Sequence, residues 1–157
     1  MLNDWLMDDH IQICSRVDDW REAVRLSAQP LLHKKIISAG YVAAILQQCQ
    51  TLGPYFVLAP GIAMPHARPE EGAGALGLSL LKIDQGVAFH SRDNDPVFIV
   101  VMLAAPDSHS HIELIAQLAE LFSSNEAMSS LFQAKTKQQI KDIINRHSLS
   151  FGQSASE

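Results

Sequence analysis

Apolar positions follow two rhythms along the chain, and the change between them marks its layout. From Asp18 to about Lys34, the residues Trp20, Ala23, Val24, Leu26 and Leu31 recur at helical spacing, and Asp18 or Asp19 can cap the start. Pro30 lies inside this run and predicts a kink or break, because proline lacks the N–H and crowds the preceding turn. A second helix is expected from a Ser38 cap through Tyr41, Val42, Ile45 and Leu46 to a stop at Gly53-Pro54. Beyond Pro54 the rhythm shortens. Residues 55–59, 76–83 and 97–105 are apolar and β-favouring, with a turn expected over 82–86. The run from Val97 to Ala105 is almost uniformly apolar, as suits a central strand covered on both faces. Helical segments are expected over 110–123, 126–133 and 137–145, and then a flexible polar tail over 148–157. Helices around a short set of strands, without regular alternation, predict an α/β sandwich with a mixed sheet.

Size and charge narrow the function classes. With 157 residues the chain is long enough for one self-sufficient core, and a single domain is expected over 1–147. Twelve basic against 17 acidic residues argue against binding to a phosphate backbone. No apolar run is long enough to span a bilayer, and the start Met-Leu-Asn-Asp-Trp is acidic where a secretory signal is basic. A cytoplasmic protein with no direct membrane insertion is the expectation. Cys14 and Cys49 stand alone and read as packing residues. Gly72-Ala-Gly74 lacks the Lys-Ser/Thr of a phosphate-binding loop, and Asp93-Asn-Asp-Pro96 reads as an Asx-type turn. Seven histidines are the one compositional excess.

Two of those histidines sit where chemistry is plausible. His66 lies in Ala59-Pro-Gly-Ile-Ala-Met-Pro-His-Ala-Arg-Pro69, where three prolines restrict the backbone as a positioned nucleophile requires. A rigid surface turn with an incidental histidine explains the same residues. His111 follows the strongest strand, and Ser110-x-x-Glu113 reads as a capping box that puts it in the first turn of a helix. That helix end disfavours an imidazolium and offers N–H groups to a phosphate-like anion. If the two loops meet, His66 could accept a phosphoryl group whose oxygens His111 would hold. A rival reading takes His109, His111, His66 and Asp107 as metal ligands, although i and i+2 diverge on a helix. His10, His33, His90 and His147 have no partner arguable from spacing and read as solvated. Near His66, Phe56 and Leu58 read as core, and Ile62 and Met64 as interface candidates.

The segment Gly53-Pro-Tyr-Phe-Val-Leu-Ala-Pro-Gly-Ile-Ala-Met-Pro-His-Ala-Arg-Pro-Glu70, followed by Gly72-Ala, resembles the enzyme IIA components of the bacterial phosphoenolpyruvate-dependent sugar phosphotransferase system. The likeness is to the mannitol–fructose class, ascorbate-type and cryptic mannitol-type subgroup. It extends to Asp19-Trp-Arg-Glu-Ala23, Asn94-Asp-Pro-Val97 and His111-Ile-x-x-Ile-x-x-Leu118. The resemblance implies a sandwich with a mainly five-stranded mixed sheet and no metal or organic cofactor. It also implies that His66 takes a phosphoryl group from the phosphocarrier protein HPr and passes it to a cysteine of a cognate IIB component. IIB in turn serves a membrane IIC component that moves the carbohydrate, ascorbate- or mannitol-like in this subgroup. His111 matches the family histidine that assists by hydrogen bonding. The arginine that mannitol-type members carry upstream has no counterpart between Arg25 and His66, and Arg68 is the candidate to contact phosphate instead. The alternative is a regulatory IIA paralogue that uses His66 as a phosphorylation sensor and binds a non-transport partner.

Overall fold

Two long strands, β4 (Gly77–Val87) and β5 (Val97–Ala104), pair antiparallel and form the centre of a five-stranded sheet. The computed structural model describes the backbone of residues 2–156 and the side chains of residues 2–147. Outside β4 lies β1 (Ile11–Cys14), parallel to it; outside β5 lies β3 (Ile62–Ala63), also parallel, and then the antiparallel edge strand β2 (Val57–Ala59). The order is β1-β4-β5-β3-β2, a mixed sheet. Alternation along the central pair supplies two apolar faces. Leu81, Ile83, Val100, Met102 and Ala104 face one layer, and Leu78, Leu80, Ile99, Val101 and Leu103 face the other.

Helices cover both faces, giving the three-layer sandwich expected. On the first face lie α2 (Trp20–His33) and α3 (Ala39–Leu52), packing through Trp20, Val24, Leu31, Tyr41 and Ile45. On the second lie α1 (Leu2–Trp5), α4 (Ile112–Ser123), α5 (Asn125–Gln133) and α6 (Lys137–Ser156). Helix α6 extends past its expected end and into the segment expected to be a flexible tail, whose side chains lie outside the described residues.

The caps of α2 and α3 follow the sequence closely. Asp19 accepts the Glu22 N–H at 2.9 Å, and Ser38 accepts the Tyr41 N–H at 3.3 Å. Gly53 ends α3 with φ +86°, a conformation that glycine adopts without steric cost. Pro30 does not break α2. Its missing N–H frees the carbonyl one turn earlier, on Leu26, and the Gln12 side-chain amide of β1 donates to that oxygen at 2.7 Å. A polar residue in a short strand thus supplies the bond that proline cannot.

Several expectations are corrected. Residues 82–86 are not a turn: β4 continues through them to Val87, with Gly86 at φ +73°. Lys82 accordingly lies in the sheet, 1% exposed, with its ammonium donating to Asp84 at 2.9 Å and to the Ala134 carbonyl at 3.0 Å. His10 is not solvated but 2% exposed, with its Nδ1 2.6 Å from the Leu78 carbonyl. Ile62 and Met64 are buried in the second core, whereas Leu58 is exposed; Phe56 is core as expected. The strands β1 and β3 and helix α1 had no counterpart in the sequence reading. Cys49 is buried and Cys14 half-buried, both as free thiols that burial pushes up in pKa.

The Gln12–Leu26 bond yields a stability prediction. Gln12→Ala should destabilise the protein by about 1–2 kcal/mol in urea unfolding, the cost of a lost bond to a partly buried carbonyl. In a Pro30→Ala background the cost should shrink, because the new N–H competes for the same oxygen. Additive effects in this double-mutant cycle would contradict the assignment.

Candidate functional site

The segment after β3 is tied to the body at every residue from Met64 to Ala67. The Met64 N–H donates to the Phe56 carbonyl at 2.9 Å, and the Pro65 carbonyl accepts the Leu103 N–H at 3.1 Å. The His66 carbonyl accepts the Tyr55 hydroxyl at 2.7 Å. The Ala67 N–H donates to the Tyr41 hydroxyl oxygen at 3.0 Å, while the Tyr41 proton goes to the Leu103 carbonyl at 2.7 Å. Backbone atoms of Phe56 and of β5 and two phenols therefore hold a stretch in which Pro65 already restricts φ. Burial pushes the Tyr55 hydroxyl up to about 12 and raises that of Tyr41, so both phenols stay protonated at neutral pH.

The His66 ring is fixed as well. Its Nδ1 lies 2.7 Å from the Met64 carbonyl. A carbonyl can only accept, so Nδ1 carries the proton and the lone pair resides on Nε2. The Tyr55 ring stands edge-on to the imidazole, with centroids 5.8 Å apart and planes at 77°. In its neutral form the half-buried His66 therefore offers one defined nucleophilic nitrogen, Nε2.

Adjacent strands deliver the second loop to the same end of the sheet. Parallel strands β3 and β5 pair Ile62 with Ile99 and Ala63 with Val100, and the Leu103–Pro65 bond continues the ladder past β3. His66 follows β3, and the segment 105–111 follows β5. In that segment Asp107 accepts the N–H groups of His109 at 2.8 Å and Ser110 at 2.6 Å, and these bonds hold its carboxyl below the usual range. This turn displaces the expected Ser110 capping box. Helix α4 starts at Ile112, and His111 occupies the N-cap with φ −97° and ψ 0°, rather than the first turn. Its Nδ1 is buried without a hydrogen-bond partner. A buried N–H without an acceptor costs more than an unused lone pair, which favours the proton on Nε2. A neutral His111 of that tautomer would present a donor on Nε2, where neutral His66 presents a lone pair.

Arg68 is exposed and caps the short 3-10 turn Pro69–Glu71, and its guanidinium forms no ion pair or hydrogen bond among the described residues. The rival metal reading finds no support: among the described residues no three His, Cys, Asp or Glu side chains gather in a metal-binding group, and Asp107 is engaged in its own turn. A turn does precede β5, but it is not of the expected Asx type: Asp95 accepts N–H groups that come before it in the chain, those of Phe89 at 2.8 Å and Ser91 at 3.0 Å. Tyr41 and Tyr55 were not singled out from sequence. Their partners are backbone groups 26 and 11 residues away, which no local pattern encodes.

Comparison with known proteins identifies the family. A family model described as phosphoenolpyruvate-dependent sugar phosphotransferase system, EIIA 2, matches residues 5–147. The mannitol-specific cryptic phosphotransferase enzyme IIA component of Escherichia coli K12 is 41% identical over 145 residues, covering 92% of this chain and 98% of the relative. The solution structure of the E. coli protein of that name aligns with a TM-score of 0.86, at 41% identity and the same coverage. The ascorbate-specific EIIA component of E. coli K12 is 39% identical over 137 residues, covering 87% of this chain and 89% of the relative. A complex of mannitol enzyme IIA with phosphorylated IIB from E. coli matches with a TM-score of 0.74 at 21% identity, covering 87% of this chain and 94% of that one, a likeness of fold alone. The chain belongs to the EIIA 2 family of the phosphoenolpyruvate-dependent sugar phosphotransferase system.

Proposed function

We propose that this protein is a cytoplasmic phosphoryl relay of a sugar phosphotransferase system, with His66 as the residue that carries the phosphoryl group. The observation that carries the reading is the 2.7 Å contact between His66 Nδ1 and the Met64 carbonyl, which leaves Nε2 as the attacking atom. In the first half-reaction the Nε2 lone pair attacks the phosphorus of phosphohistidine on HPr. The P–N bond to HPr breaks, and its electron pair returns to the HPr imidazole. In the second, a cysteine thiolate of a cognate IIB component attacks the same phosphorus, and the bonding pair returns to His66 Nε2. Because Nδ1 keeps its proton on the Met64 carbonyl throughout, the departing group is a neutral imidazole and not an anion. A phosphoramidate held this way is stable enough to carry and reactive enough to pass on.

Charge builds on the three equatorial oxygens during transfer, so donors near the phosphorus lower the barrier. His111, with its proton on Nε2, and free N–H groups at the start of α4 are the proposed donors. Arg68, two residues from His66 and without a partner among the described residues, is the proposed guanidinium contact. With Ile62 and Met64 buried, partner docking falls instead to exposed apolar side chains, among them Leu58 and Ile112. The carbohydrate class proposed is mannitol- or ascorbate-like, as in the systems for which the two E. coli relatives are named.

With radiolabelled phospho-HPr as donor, His66→Ala should take up no label while unfolding at an unchanged temperature. Label retained by the variant would place the acceptor elsewhere. His111→Ala should still accept phosphate but pass it to the IIB cysteine about a hundredfold more slowly, the effect of losing one transition-state donor. Unchanged transfer in rapid-quench measurements would reject that role.

A further inference from the structure

One peptide group in the site is held at both ends by phenols. The plane between His66 and Ala67 presents its carbonyl to Tyr55, 2.7 Å away, and its N–H to Tyr41, 3.0 Å away. A trans peptide is rigid, so fixing both polar ends fixes its tilt, and with it the direction in which the His66 Cα–Cβ bond leaves the chain. The Nδ1 bond to Met64 then fixes the ring about that direction. Tyr41 is a core residue of α3, 1% exposed, and its hydroxyl also anchors the end of β5 through the Leu103 carbonyl. Tyr55 is different. It is 38% exposed, and it lies between the end of α3 and the start of β2, outside either core cluster.

We infer that Tyr55 is a positioning residue for the acceptor nitrogen: its hydroxyl holds the His66 carbonyl while its ring edge abuts the imidazole. The inference rests on the reading of His66 as the phosphoryl acceptor. Two features of Tyr55 bear on His66 at once, the hydroxyl on its carbonyl and the ring edge on its imidazole. The Gln48 carboxamide lies 3.1 Å from the same phenol oxygen. With one phenol proton and two acceptors in reach, the His66 carbonyl at 2.7 Å is the shorter contact and Gln48 Oε1 at 3.1 Å the longer. Tyr55 also packs edge-on against Phe56, centroids 4.9 Å apart, which sets the ring independently of the hydroxyl. The two contributions can therefore be separated by substitution, because Tyr55→Phe retains both ring contacts and loses only the hydrogen bond.

The test compares two phosphoryl donors on the intact protein. Phosphoramidate is a small molecule that needs no docking surface, whereas phospho-HPr must dock. Tyr55→Phe should slow labelling of His66 by phosphoramidate about tenfold, within what a sub-ångström misplacement of a reacting atom can cost. It should lower the maximal rate with phospho-HPr by the same factor, with the KM for phospho-HPr and the thermal midpoint unchanged. Labelling by phosphoramidate at the wild-type rate would overturn the inference, and so would a change confined to the KM for phospho-HPr, which marks Tyr55 as docking surface only. If the wild type takes phosphate on His66 from phosphoramidate but none from phospho-HPr, the relay reading fails while the Tyr55 comparison still decides this one. Labelling of the wild type at a residue other than His66 overturns both.

Discussion

The bond from His66 Nδ1 to the Met64 carbonyl decides what the site can do, because it settles which nitrogen is basic. An imidazole free in solution shares its proton between two nitrogens and presents either one. Holding Nδ1–H on a carbonyl two residues back leaves Nε2 as the nitrogen with the lone pair in the neutral ring. In the proposed relay the same bond would persist as the acceptor turns into a leaving group, so that one interaction would serve both half-reactions. It is useful only while Met64 and His66 keep their relative positions, and much of the surrounding structure maintains them. Met64 is anchored by the Phe56 carbonyl and by burial in the second core, Pro65 by Leu103, and the His66–Ala67 peptide by two phenols.

The sheet explains why these anchors converge. Strand β3 has only two residues and could not stand alone; it exists because β5 pairs with it on one side and β2 on the other. Since β3 and β5 run parallel, their following loops emerge at one end, the end where open α/β sheets hold ligands. The long β4–β5 pair, apolar on both faces, is the rigid platform for this arrangement. Helices α2 and α3 close one face, and α3 also supplies Tyr41 to the loop, linking core packing directly to the geometry of the acceptor.

How much of this was legible in the sequence depended on the range of the interaction involved. The helices α2 and α3 were readable because Asp19, Ser38 and Gly53 act within one turn of themselves, and β5 because eight apolar residues leave no other reading. His66 stood out through its flanking prolines, and the family likeness gave it a role. The strands β1 and β3 escaped detection because four and two residues carry no measurable period. The persistence of α2 through Pro30 was hidden in Gln12, a residue 14 positions from the carbonyl it satisfies. At His111 two local signals competed, and the Asp107 turn prevailed over the Ser110–Glu113 box by claiming the Ser110 N–H. Ile62 and Met64 were misjudged because burial depends on the α4–α6 layer, far away in sequence.

The tautomer of His66 is open to direct observation. Long-range proton–nitrogen correlation on nitrogen-15-labelled protein at neutral pH distinguishes protonated from unprotonated ring nitrogens, and the same spectrum after phosphorylation reports which nitrogen bears phosphorus. The account predicts a protonated Nδ1 and an unprotonated Nε2 in the free protein, with phosphorus on Nε2 and the proton still on Nδ1 afterwards. A protonated Nε2 in the free protein, or phosphorus on Nδ1, would contradict it.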